Sequence, residues 1–341
     1  MTVAEAPQKE LQRKDFISDQ TVRWCPGCGD YSILAQVQKS FPTMGRKKEE
    51  FVFISGIGCS SRFPYYMDTY GFHTIHGRAA AIATGVKLAN PNLSVWIATG
   101  DGDNMSIGGN HFIHLLRRNI DVNVMMFNNR IYGLTKGQFS PTSEVGQLTK
   151  SSPMGNIDSP FNPPALALGA AATFIARGID VEGKHLQQMI EASYRHAGTS
   201  FLEIYQNCLI FNDGAFAPLS DKSTKANHQL LLEHGKPLIF GQDNSMGIRM
   251  DGHRPQVVDL TTGKYSIDDL AVHDKSDKMF ALVMSELTYM SDFPTPLGII
   301  YESEQDTYED KLYRQLDHAV EVQGKGDLKS LLHSGHTWTV S

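Results

Sequence analysis

Cysteine is scarce in this chain of 341 residues: there are four, Cys25, Cys28, Cys59 and Cys208. Four are too few and too unevenly spaced for a disulfide scaffold, and a Cys-x-x-Cys pair outside a secreted context points to metal binding instead. Long apolar runs are missing too, with nothing near the ~20 residues that a membrane-spanning helix needs. Met1–Ser18 is mostly polar and lacks the apolar core of a secretory signal, so the expectation is a cytoplasmic protein with no membrane partner. There is no excess of positive charge: 31 Lys and Arg face 37 Asp and Glu, for a net charge of −6. Without clustered cations a phosphate backbone finds no footing, which excludes nucleic acid as the main ligand. Internal repeats and low-complexity tracts are absent. What remains is a globular composition, 41% hydrophobic and 20% charged, able to bury a substantial core.

Short apolar runs at Phe51–Ser55, Ser94–Thr99, Asn123–Phe127, Thr173–Ala176 and Phe201–Tyr205 read as buried strands. Helical spacing recurs at Tyr31–Phe41, Arg78–Ala89, Ile107–Arg118 and His185–His196. Such alternation predicts an α/β fold, a doubly wound parallel sheet with ligands at the carboxyl ends of its strands. Gly137–Pro164 breaks the rhythm with five prolines and reads as a long ordered loop that covers a site. Past Ala217 the pattern loosens, then resumes with helices at Ser276–Leu287 and Tyr308–Val322 and a strand at Leu297–Tyr301. The expected division is a tail over 1–18, a ligand-binding domain over 19–217, and a C-terminal appendage over 218–341 that packs on that domain or on a partner.

Two strand ends carry chemistry. Ser94–Thr99 runs into Gly100-Asp101-Gly102-Asp103 and then a helix, and Asn123–Phe127 runs into Asn128-Asn129. Glycines there let the backbone approach a diphosphate, and a helix N-terminus offers free N–H groups. Asp101 supplies a hard anionic oxygen for Mg²⁺, Asn129 a neutral one, and the Ile131 carbonyl a third. A Gly-Asp-Gly turn alone is common; the two halves together are similar to the thiamine-diphosphate motif of that enzyme superfamily. By that similarity Asp101, Asn129 and Ile131 hold Mg²⁺, while Gly100, Gly102, Asp103, Gly133, Leu134 and Thr135 line the diphosphate.

Cys25-Pro26-Gly27-Cys28 is a tight chelating turn, Cys59 follows the first strand and Cys208 the Phe201–Tyr205 strand. Four thiolates in one region can hold zinc or a four-iron cluster. Structural zinc sites use two close pairs, whereas here there is one. The uneven spacing fits a cluster ligated across the fold, and no flavin or nicotinamide fingerprint offers another electron acceptor.

Taken together, Trp24–Gly29, Gly56–Ser61, His73–Arg78, Gly100–Asp103 and Asn128–Thr135 resemble the β subunits of 2-oxoacid:ferredoxin oxidoreductases, and Cys208 matches the fourth cluster ligand of that family. The resemblance is dense over about residues 20–215. It implies thiamine diphosphate, Mg²⁺ and one 4Fe-4S cluster held by Cys25, Cys28, Cys59 and Cys208. Ile57, Gly58, Cys59, Ser60 and His76 would lie against the cofactor. The implied activity is reversible oxidative decarboxylation of a 2-oxoacid, with CoA taking the acyl group and ferredoxin the electrons. His76 is a candidate to contact substrate or diphosphate, and Arg62 to pair with a second substrate carboxylate. With Gly247–Gly252, these motifs look most like the 2-oxoglutarate type, with pyruvate and branched-chain 2-oxoacids as alternatives. The glutamate that activates the cofactor has no place in so short a chain, which implies an α subunit carrying the pyrimidine-binding domain, in an α2β2 assembly.

Two rival readings use part of these residues. A non-redox thiamine decarboxylase subunit has no use for four positioned cysteines. A zinc-stabilised binding protein leaves Asp101 and Asn129 unexplained.

Overall fold

The computed structural model describes residues 10–340. Eleven strands occur among them: β1 (Phe51–Ser55), β2 (Tyr70–His73), β3 (Ser94–Gly100), β4 (Asn123–Asn128), β5 (Phe174–Ile179), β6 (Ser200–Tyr205), β7 (Gln229–Leu232), β8 (Ile239–Phe240), β9 (Met246–Asp251), β10 (Arg254–Asp259) and β11 (Thr295–Glu302). Eight of them form one sheet in the order β2-β1-β3-β4-β6-β5-β11-β7, and β10-β9-β8 form a small antiparallel sheet. Neighbours from β2 to β5 pair in parallel, while β11 runs antiparallel to β5. The α/β doubly wound reading is therefore met, with an antiparallel edge added to a parallel core.

Parallel strands covered on both faces are apolar throughout instead of alternating, and every residue of β1, β4, β5 and β6 is buried. Val52, Ile54, Val95, Ile97, Val124 and Met126 face one layer, packed with residues of helices Ala79–Ala89 and Gly109–Arg118. Phe51, Phe53, Trp96, Ala98, Met125 and Phe127 face the other, against helices Asp30–Ser40 and Gly183–Arg195. Two layers of helix thus clamp the sheet and hold its carboxyl ends as a rigid rim.

Two differences from the sequence reading have physical causes. The strand expected over Thr173–Ala176 continues to Ile179 because Arg177, which interrupts the apolar run, is neutralised inside the sheet by Glu203. β2 lacks the continuous apolar run of a buried strand: it is an edge strand with all four residues exposed, Tyr70 and Phe72 among them. The 218–341 segment packs on the main body by extending its sheet with β7 and β11, and helix Lys278–Leu287 joins the same core. No helix is long and apolar enough to cross a membrane among the described residues.

Candidate cofactor crevice

The carboxyl ends of β1, β3 and β4 open into one crevice. Its walls include Ile57, Gly58, Cys59, Ser60, His76, Gly100, Asp101, Gly102, Asp103, Asn129, Ile131, Gly133, Leu134 and Thr135, so the residues expected to lie against thiamine diphosphate and Mg²⁺ surround a single cavity, while Cys25, Cys28 and Cys208 are not among its lining. Asp30, Phe127, Tyr132 and Gln206 complete the lining. Arg62 is not among these residues; its Nε donates to the Tyr66 hydroxyl at 2.9 Å. Gly247–Gly252 lies within and just beyond β9 and contributes nothing to the wall.

Asp101 is 2% exposed, and its Oδ2 accepts hydrogen bonds from Ser140 Oγ at 2.5 Å and Thr142 Oγ1 at 2.6 Å. Burial pushes its carboxyl above the usual range, while those two hydroxyls favour the charged form. A buried carboxylate with hydroxyl donors but no paired cation is costly, and a bound cation would relieve that cost. Asn129 lines the same crevice, with Oδ1 accepting from the Ile131 N–H at 3.2 Å and Nδ2 donating to Gln206 at 2.8 Å. One carboxylate, one amide oxygen and one adjacent carbonyl form a hard-oxygen donor set suited to Mg²⁺.

Asp103 is a tie between loops. Its Oδ1 accepts from the N–H groups of Ile57 (3.1 Å) and Gly77 (2.7 Å) and lies 2.5 Å from His76 Nδ1, and its Oδ2 accepts from Thr99 Oγ1 at 2.8 Å. With Nδ1–H held by the carboxylate, Nε2 of a neutral His76 ring is left as an acceptor. Gly102 is needed for close approach: a Cβ there would stand 2.2 Å from the Tyr132 ring, whose hydroxyl donates to the Gly102 carbonyl at 2.9 Å.

The cysteines gather beside this crevice. A Cβ on Gly133 would lie 3.5 Å from the Cys208 sulfur and 3.7 Å from that of Cys59, so the bare glycine leaves space next to both. Cys28 accepts from Gln206 Nε2 at 3.3 Å, and Cys25 is exposed. Burial, then the neighbouring Asp30, pushes the Cys59 thiol up to about 12, and burial likewise raises Cys28 and Cys208. Among the described residues no three His, Cys, Asp or Glu side chains stand close enough to hold a single ion. Asp30, 1% exposed, has no hydrogen-bond partner in normal geometry, and burial raises it to about 7.

Residues 56–204 match the model of the thiamine pyrophosphate enzyme C-terminal TPP-binding domain, the span that supplies most of the crevice. A relative from Mycobacterium tuberculosis, the 2-oxoglutarate oxidoreductase subunit KorB, is 50% identical over 98% of this chain and 90% of its own length. The chain belongs to the β-subunit family of 2-oxoacid:ferredoxin oxidoreductases. The 2-oxoglutarate synthase subunit KorB of Archaeoglobus fulgidus is a further relative, 43% identical over 54% of this chain and 69% of its own. Among solved structures, the 2-oxoglutarate:ferredoxin oxidoreductase from Magnetococcus marinus, with 2-oxoglutarate, coenzyme A and succinyl-CoA bound, superposes with a TM-score of 0.76. It is 30% identical, over 97% of this chain and 99% of that one.

Sequence reasoning missed Ser140 and Thr142. They lie in the loop expected to cover a site, and the hydroxyl cluster Ser140-Pro141-Thr142-Ser143 was the available signal. Gln206, which bridges Asn129 and Cys28, was missed because a glutamine just past a strand carries no signal of its own.

Proposed function

We propose that the chain is the β subunit of a 2-oxoglutarate:ferredoxin oxidoreductase, an enzyme active only with an α subunit. The reaction is 2-oxoglutarate plus CoA plus two oxidised ferredoxins giving succinyl-CoA, CO₂, two reduced ferredoxins and one proton, and it is reversible. The observation that carries this reading is the shared wall: Cys59 and Gly133, the latter beside the Cys208 sulfur, line the same crevice as Asp101, Asn129 and Ile131. A site for carbon chemistry thus adjoins the thiols that would take electrons away.

Asp101, Asn129 and the Ile131 carbonyl would hold Mg²⁺. Cys25, Cys28, Cys59 and Cys208 would hold a 4Fe-4S cluster, to pass electrons on singly. When bound, thiamine diphosphate supplies the nucleophilic carbon and electron sink that 2-oxoacid decarboxylation requires. The chain's own residues bind and orient. Ile57, Phe127, Ile131 and Leu134 make the apolar wall that limits water. His76, aligned by Asp103, would offer Nε2 as an acceptor to the CoA thiol proton.

The crevice wall holds aspartates but no glutamate, which supports a pyrimidine-binding domain on the α subunit; an α2β2 assembly is the expected form of the complex. It also holds no Lys or Arg, so a second substrate carboxylate needs a cation from the rim or the partner. Arg62, whose charge reaches Cys59, is the candidate in this chain. The relatives' named substrate supports 2-oxoglutarate over pyruvate and branched-chain acids, and a cytoplasmic enzyme is expected.

The test is anaerobic co-purification with the α subunit, then iron and thiamine analysis and dye reduction with a panel of 2-oxoacids. About four irons per β chain, with CoA-dependent reduction fastest on 2-oxoglutarate, is the expected result. Another preferred acid would overturn the substrate assignment alone, and zinc without dye reduction would overturn the redox reading.

A further inference from the structure

Arg130 sits between two of the residues assigned to the metal, yet of residues 129–135 it alone is absent from the crevice wall. Its backbone is left-handed, with φ of +55°, a conformation that costs a non-glycine residue free energy and therefore needs to be held. The side chain reaches into a second cavity behind the loop. There its guanidinium pairs with Glu144 and lies 4.7 Å from the Phe216 ring centroid and 5.9 Å from that of Tyr205. The Arg130 carbonyl accepts from Ser143 Oγ at 2.6 Å, and Asn212 Nδ2 donates to the Asn129 carbonyl at 2.9 Å.

We propose that Arg130 is a positioning residue for the metal site. It anchors the left-handed turn from behind, so that the Asn129 side chain and the Ile131 carbonyl face Asp101 together. The loop after Gly137 then grips the metal site at two points: Ser140 and Thr142 hold Asp101, and Glu144 holds Arg130. The inference rests on the Mg²⁺ assignment above and deepens it.

The test is Mn²⁺ titration of the intact αβ complex with thiamine diphosphate present, reading free Mn²⁺ by electron paramagnetic resonance. Arg130→Ala removes the anchor and keeps the backbone cost, so Mn²⁺ binding should weaken about tenfold, the usual effect of removing a residue that supports a ligand. Arg130→Gly also loses the anchor but accepts the left-handed backbone freely, and should recover most of that loss. Glu144→Gln, at a largely exposed residue, should weaken binding by a smaller factor and serves if Arg130→Ala does not assemble. Wild-type affinity in Arg130→Ala, or in Glu144→Gln where that variant stands in for it, would overturn the proposal. So would a glycine variant no better than alanine. Asp101→Asn is the control: if it too binds Mn²⁺ normally, the metal assignment itself falls.

Discussion

Glu203→Gln is expected to destabilise the protein far more than a neutral, nearly isosteric change normally would. Arg177 and Glu203 are fully buried neighbours on β5 and β6, with Nε donating to Oε2 at 2.7 Å. The same guanidinium donates to Thr288 Oγ1 at 2.8 Å and to the Pro296 carbonyl at 3.3 Å, and Glu203 Oε1 accepts from Asn128 Nδ2 at 2.8 Å. One charge pair therefore joins the C-terminal segment to the strand that ends beside Asn129. Removing one partner of a buried pair leaves an uncompensated charge, at about 3–5 kcal/mol. With unfolding entropy near ~2.1 cal/mol/K per residue, a chain of 341 residues unfolds with about 0.7 kcal/mol/K. The melting midpoint should then fall by roughly 4–7 °C, measured by calorimetry on the co-purified complex. Arg177→Met should cost a similar amount, and the double variant should cost less than the sum because no charge is stranded. A Glu203→Gln midpoint within about 1 °C of wild type, or strictly additive losses, would refute the coupling.

Other consequences are as direct. Thr142→Val keeps the side-chain shape but loses the hydroxyl that donates to Asp101 Oδ2 at 2.6 Å, and should weaken Mn²⁺ binding by the complex about tenfold. Gly102→Ala drives a methyl into the Tyr132 ring, so the thermal midpoint should drop by an amount equivalent to about 1–3 kcal/mol; an unchanged midpoint would mean the ring moves freely. His196, whose Nδ1 lies 3.9 Å from Glu302 Oε1, together with the directly paired Lys275 lowers the Glu302 carboxyl from 4.5 to about 2. A depressed carboxylate stabilises the fold above its unfolded value and loses that contribution as pH falls through its folded value. The difference in midpoint between wild type and Glu302→Gln should therefore be constant above about pH 5 and shrink below pH 4.5. A difference that grew on acidification would contradict this.

What could be read in advance and what could not divide along a physical line. Strands β1, β3, β4 and β6 are legible because burial on both faces leaves apolar runs with little else to mean. The crevice residues named from the motifs are legible because each lies in, or within a few residues of, a short motif at a strand's carboxyl end, where chain order and spatial order coincide; Asp30 and Gln206, outside such motifs, are not. Ser140 and Thr142 reach Asp101 across separations of 39 and 41 residues, through a loop without periodicity, and no local pattern encodes that return. Arg130 is the intermediate case. Its neighbours Asn129 and Ile131 could be read from the motif, but its own role depends on a left-handed backbone and on Phe216 and Glu144, which only the folded chain brings behind it. The parts of the site that would touch a cofactor are thus written locally. The parts that hold those residues in place come from elsewhere in the chain, and the loop after Gly137 supplies two of them at once.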